Sequence, residues 1–382
     1  MTSTWLSLGL AVIALGQSGS SLSAQAAVAV SAAAAQPVQA ARPPQAPVYL
    51  AKRVDELGKA FDGRVGIAVR SVNEGWSTSW NGNELTPQQS VSKLWVAITA
   101  LDAVDRGRVR LDERVTLTRG DLTLFHQPIA QKVLGGGTTM SLGELMFQAL
   151  TKSDNTCNDK LMRSIGGPEA VRAMIRAKGL GAIRFYEGER SLQSRIAGLT
   201  WTPSYSIGRA FYEARNALPM SLRRAAFNRY LEDPYDGASA NAIADALAAL
   251  KRGELLSNSS TARLLTIMSQ TSTGKNRLRG GLKPGWTLSH KTGTGQVLGP
   301  VQAGYNDIGI LTAPDGRHYA VAVMIGRTAT PIPQRMALMQ NVTRAVIAYH
   351  DASRASISSS SALRRLSARC SQMRKPSNAS RP

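Results

Sequence analysis

The sequence predicts an α/β (α+β) fold: one antiparallel sheet built from both ends of the chain, flanked by terminal helices, with an all-α lobe inserted between its halves. Three observations lead there. Period-two apolar runs occur only near the two ends. Helical periodicity dominates the middle from Ser90 to about Gln270. Helix patterns also stand at the outer edge of each strand-rich end, over 48–61 and 333–349.

Taken in order, the first element is a helix from Val48 to Phe61, with Leu50, Val54, Leu57 and Phe61 on one face and a stop at Asp62-Gly63. Val65–Val72 and Trp76–Trp80 read as strands joined by the turn Asn73-Glu74-Gly75. Val91–Val104 is apolar on nearly every face, which predicts a buried central helix. Helices follow at 141–150, 156–165, 168–178, 205–216, 220–231, 238–252 and 259–270. Strands return at Thr287–Thr292, Asp307–Thr312 and Tyr319–Gly326, with a turn at Pro314-Asp315-Gly316. The expected organisation is a sheet lobe of 46–85 and 280–350 around a helical lobe of 86–279. Residues 351–382 form a basic Ser/Arg tail without an apolar pattern, read as disordered.

The formal charge of +21 first suggests an anionic partner, but the excess is spread thinly and partly carried by the tail. No basic helix carries interleaved aromatics, so nucleic acid is not an expected partner. The two cysteines, Cys157 and Cys370, do not make a disulfide scaffold. His126, His290, His318 and His350 show no ligand spacing, which disfavours a zinc site. Trp5–Leu15 followed by Ala24-Gln25-Ala26 reads as an export signal over 1–26, although its start lacks Lys and Arg. Residues 27–45 are an Ala/Pro-rich linker, and no later run is long enough to span a bilayer.

Three short motifs carry chemistry. In Ser90-Val91-Ser92-Lys93 the lysine lies one helical turn above the serine. A serine hydroxyl is a poor nucleophile until a base takes its proton, and an adjacent lysine can do so. Ser153-Asp154-Asn155 lies between two helix patterns, and Lys291-Thr292-Gly293 lies on a late strand. Taken singly, the second is an ordinary helix-cap cluster and the third an ordinary edge strand. Their order and their placement at helix start, inter-helix loop and late strand make the set far more specific.

With these motifs the chain resembles the class A β-lactamases of the β-lactamase/penicillin-binding protein superfamily over roughly Val48 to His350. Ser153 comes 63 residues after Ser90, an interval similar to the family's. The resemblance implies a β-lactamase/transpeptidase-like fold and a serine hydrolase acylated on Ser90, with Lys93 as proton acceptor or part of the relay. Ser153 would protonate the departing nitrogen, and Asn155 would hold the substrate's side-chain amide. Lys291, Thr292 and Gly293 would meet its carboxylate, and the backbone N–H groups of Ser90 and Thr294 would form the oxyanion hole. Glu189, in Glu189-Arg190-Ser191-Leu192-Gln193, matches the family's deacylating base, with Gln193 in place of Asn. Arg277 stands where some members carry a carboxylate-steering arginine, and Tyr305 where others carry theirs. Phe125 corresponds to an aromatic gate, whereas His290 is expected to face away from the site.

Two departures stand out. A segment from Ile196 to about Asp233 is an insertion of roughly 35–40 residues, long enough to have its own structure. No Arg–Asp pair is evident to anchor the segment carrying Glu189. No metal or cofactor is implied. The expected substrate is a β-lactam or a peptidoglycan-derived molecule, handled by a periplasmic monomer. The alternatives are a DD-peptidase-like penicillin-binding enzyme and a non-catalytic β-lactam or muropeptide sensor.

Overall fold

The computed structural model describes residues 44–373, with side chains through Ala355. The expected signal (1–26) and all but the end of the linker (27–45) lie outside the described residues.

The main sheet has the order Ser77–Trp80, Arg64–Ser71, His318–Thr328, Val301–Thr312, Thr287–Thr294, with every neighbouring pair antiparallel. Arg64–Ser71 thus pairs directly with the C-terminal strand His318–Thr328, and Ser77–Trp80 forms the sheet edge beside it. The central strand His318–Thr328 explains how the sheet is covered on both sides. Its large residues Tyr319, Val321, Val323 and Ile325 enter one core with Leu50, Val54 and Leu57 of the first helix and Met339, Val342 and Val346 of the last. The intervening Ala320, Ala322 and Met324 enter the other core, together with the helical lobe. Small residues on that face let the alanine-rich helix Ala240–Lys251 approach closely. Gly58 serves the opposite face: a Cβ there would lie 2.1 Å from the Trp80 ring.

The helix Lys93–Asp105 runs through the helical lobe with Leu94, Trp95, Val96, Ala97, Ile98, Ala100 and Leu101 all buried. It behaves as an all-round apolar helix should. Around it pack Leu142–Thr151, Asn155–Ser164, Gly167–Ala177 and Asn258–Ser269.

The structure departs from expectation in three places. Two small ribbons, Arg114–Leu117 with Thr138–Ser141 and Thr86–Pro87 with Gly237–Ala238, were not foreseen. They are too short to show alternation. Helix Ala240–Lys251 belongs to the sheet's inner face as much as to the helical lobe. The last helix does not stop at Tyr349 but runs from Ile332 to Met373 through most of the expected tail. No Gly or Pro occurs between Pro333 and Pro376, and Ala, Leu and Arg favour the helix without needing an apolar face.

Trp95 is fully buried and its Nε1–H donates to Gln88 Oε1 at 2.5 Å. Trp95→Ala is therefore expected to lower unfolding stability by about 3–5 kcal/mol. Urea denaturation followed by circular dichroism measures this; a loss below about 1 kcal/mol would contradict a packed helix at the centre of the lobe.

Candidate active site

Ser90 lies in a single 3-10 turn, Gln89–Ser92, that runs into the helix beginning at Lys93. The turn holds Gln89 at a positive φ of 54°, a costly conformation for a side chain of this size. Its backbone N–H donates to the Asp236 carboxylate at 2.7 Å, and its side-chain amide donates to Tyr230 Oη at 2.6 Å. Three residues on, the Lys93 ammonium is buried. It donates to Ser90 Oγ at 2.7 Å, to Asn155 Oδ1 at 2.8 Å and to the Glu189 carboxylate.

The second motif divides its labour. Asp154 is the helix cap: it accepts from the Cys157 N–H at 2.9 Å and from the Ile129 N–H at 2.7 Å. That leaves the flanking side chains for the cleft. Ser153, at φ 60°, accepts from the Lys291 ammonium at 3.0 Å. Asn155 is oriented by donating to Leu124 O at 2.8 Å. The cap role falls to Asp154 alone, which leaves the Ser153 and Asn155 side chains for Lys291 and Lys93.

Lys291 is fully buried on the strand Thr287–Thr294. Burial, and after it the nearby Lys93 charge, hold its ammonium well below the usual lysine range. At Gly293 a Cβ would lie 2.3 Å from Gln88 O, so only glycine lets this strand pass the turn that carries Ser90. Thr292 Oγ1 is 2.7 Å from Thr273 Oγ1. Arg277 is buried against the same strand. Its guanidinium donates to Gly293 O at 3.0 Å, Asn306 O at 2.7 Å and Thr294 Oγ1 at 2.5 Å, and lies 3.8 Å from the centre of the Tyr305 ring. His290 faces away and bonds Asp307 at 2.8 Å, with both side chains fully buried.

Glu189 is not a loop residue. It opens the helix Glu189–Ile196, is buried, and pairs with Lys93. One turn later, Gln193 Nε2 donates to Glu189 Oε2 at 3.2 Å and to Gln89 Oε1 at 3.0 Å, while Gln296 Nε2 donates to Gln193 Oε1 at 3.0 Å. The start of this helix rests on Asp159, which accepts the Glu189 N–H at 3.0 Å. Burial, reinforced by the Glu189 charge, raises the Asp159 carboxyl above its ordinary range. At the surface Arg184 bonds Asp233 at 2.5 Å, linking the chain before Glu189 to the end of the insertion. That pairing spans 49 residues and has no local signature in the sequence.

The insertion folds as Pro203–Ser206, Ala210–Ala217 and Met220–Glu232. Phe125, at φ 59°, packs edge-on against Phe211 with ring centres 5.0 Å apart. The resulting cleft of about 280 Å³ is lined by Ser90, Phe125, Asn155, Glu189, Gln193 and Thr294, and by Arg215 from the inserted helix. Lys93 reaches it through its bonds to Ser90, Asn155 and Glu189, while Ser153 and Lys291, bonded to each other, stand two residues before Asn155 and three before Thr294. Sequence reasoning missed Gln89, Asp159, Tyr230, Asp236, Gln296 and Arg215. Only Asp159, four residues after Asn155 on the same helix face, left a local trace.

A match to the β-lactamase enzyme family covers residues 49–350. β-Lactamase VEB-1 of Pseudomonas aeruginosa is 26% identical over 279 residues, which is 73% of this chain and 83% of that protein. Among solved structures, a β-lactamase from Chitinophaga pinensis superposes with a TM-score of 0.64 at 29% identity, covering 78% of this chain and 97% of that one. An ancestral class A β-lactamase gives 0.63 at 30% identity, covering 78% and 99%.

The fully enclosed Asp236 carboxyl is pushed up to about 7 by burial, against the opposing bonds from Tyr230 and the Gln89 N–H. A carboxyl whose pKa rises on folding adds stability below the ordinary carboxylate range, and that share is lost as pH climbs toward 7. Asp236→Asn should remove this loss. Urea titrations at stepped pH should show wild type declining relative to the variant between about pH 4 and 7; parallel curves would contradict it.

Proposed function

The chain belongs to the β-lactamase enzyme family, and from that membership we propose that it opens β-lactam rings through an acyl-enzyme on Ser90. The observation that carries the proposal is the Lys93 ammonium bonded at once to Ser90 Oγ, Asn155 and Glu189. An ammonium has three protons to donate and no lone pair, and here all three are committed. Lys93 can take the serine proton only by handing one of its own to Glu189. The two therefore act as one relay: Lys93 conducts and the Glu189 carboxylate receives.

As the Ser90 Oγ–carbonyl bond forms, the oxyanion is held by the N–H groups of Ser90 and Thr294. The ring C–N bond then breaks, and its nitrogen takes a proton from Ser153 Oγ. Lys291, held well below its ordinary pKa, is bonded to that oxygen and can replace the proton. Arg277 carries positive charge to the Thr294 hydroxyl, so Thr292, Gly293 and Thr294 present a cationic shelf to the substrate carboxylate. Before the second half-reaction Glu189 gives up to solvent the proton it received and Lys291 regains one, so that on balance the Ser90 proton ends on the ring nitrogen. Glu189, ionised again, then takes a proton from water while Gln193 orients that water, and the proton returns through Lys93 to Ser90 Oγ as the acyl bond breaks.

Every group named belongs to one chain, so a monomer suffices. No described helix is long and apolar enough to cross a membrane, which accords with a periplasmic enzyme released by the 1–26 signal. A penicillin-binding reading shares the acylation machinery, Glu189 included, but gives no task to Gln193, which donates to that carboxylate.

Intact-mass spectrometry after mixing with a penicillin tests the proposal. A transient adduct is expected in wild type, a slower-forming but persistent one in Glu189→Gln, which lacks both the relay's acceptor and the deacylating base, and none in Ser90→Ala, whose turnover should fall about 10³-fold or more. A persistent adduct in wild type would favour the penicillin-binding reading. Neither adduct nor turnover in wild type would sink both.

A further inference from the structure

The inserted segment delivers a cation to the cleft that the acylation and deacylation steps leave unused. Arg215 lies on the helix Ala210–Ala217 and lines the cleft beside Phe125, Asn155 and Gln193. Its guanidinium lies over Tyr212, 5.3 Å from the ring centre, and 5.9 Å from that of Phe211. Phe211 in turn packs against the gate residue Phe125. Aromatic faces hold the plane of a guanidinium while leaving its edge free to donate.

Nothing among the described residues neutralises it. Among the described residues, no carboxylate lies within ion-pair distance of Arg215, and its Nε is buried without a hydrogen-bond partner. The nearest acidic residue in sequence, Glu213, pairs with Arg209 instead. Arg223 of the following helix adds a second positive charge close enough to oppose that of Arg215, and its Nε is also unpartnered. Two neighbouring guanidiniums without an acid repel one another, and an incoming anion relieves that repulsion. The other cations of the site are committed: Lys93 to Glu189, Lys291 to Ser153, and Arg277 to two carbonyls and the Thr294 hydroxyl.

We propose that Arg215 is a specificity-determining residue that receives a second anionic group, carried on the acyl side chain of the β-lactam, so that the insertion selects dianionic substrates. The inference rests on the β-lactam reading above and deepens it. Asn155 and Gln193, the neutral amides that line the cleft with Arg215, cannot themselves attract a carboxylate by charge. Arg215 supplies that attraction from the inserted helix, whereas Lys291, Thr292 and Arg277 belong to the sheet side of the site.

The test compares benzylpenicillin with its α-carboxylated derivative, which differ by one carboxylate on the side chain. In Arg215→Gln, kcat/KM for the carboxylated penicillin should fall about tenfold or more relative to its parent. Arg215→Lys should retain part of the preference. Added salt should shrink the wild-type preference and barely alter that of Arg215→Gln. An equal loss on both penicillins would reduce Arg215 to a packing residue and overturn the proposal, as would an unchanged ratio. If wild type turns over neither penicillin, the β-lactam hydrolase reading fails on its own. Calorimetric affinities of the two penicillins for Ser90→Ala, with and without Arg215→Gln, then still decide: tighter binding of the dianion only where Arg215 is present supports the role, and equal affinities overturn it.

Discussion

The site depends on a buried ammonium. Burying Lys93 is costly unless its protons find acceptors, and it finds three, from three separate segments: Ser90 on its own turn, Asn155 across the helical lobe, and Glu189 at the start of another helix. The arrangement that meets the needs of this charge is also the one that brings nucleophile, amide and base together. Removing any partner would leave a buried charge less satisfied, so stability and chemistry constrain the same residues.

A second layer of polar groups holds that triad in position. Gln89 keeps its left-handed backbone because Asp236 and Tyr230 bond it, and it passes that order to Gln193 and so to Glu189. Asp159 fixes the backbone from which Glu189 projects. Lys291 and Arg277 complete the opposite wall from the sheet. The cleft lies where the two lobes meet because the sheet presents its lysine strand edge-on to the turn carrying Ser90, and Gly293 is small enough to permit the contact.

The insertion is more than a tolerated loop. Phe211 is buried with Leu124 and Ala197, and Tyr230 and Phe227 form a further core with Leu192 and Ile196 of the Glu189 helix. The segment thus supports the helix that carries the base while presenting Arg215 to the cleft. Coupling of this kind ties substrate preference to the placement of Glu189 without any change in the acylating residues.

The sequence by itself determined most of the elements: the central helix and the strands at both ends were legible because period two and period 3.6 are local properties of the chain. The Ser90–Lys93 pairing was legible from their spacing of one helical turn, whereas Ser153, Asn155, Glu189 and Lys291 were singled out by the resemblance of their motifs to the class A family. The tertiary structure decided which of these groups meet, and through what. Asp154 rather than Ser153 caps its helix; Glu189 opens a helix; Gln89 reaches Tyr230 across 141 residues, and Arg184 reaches Asp233 across 49. Such contacts arise from the packing of distant segments around one buried charge and one shared core, and no local spacing encodes a distance between residues that the fold alone brings together.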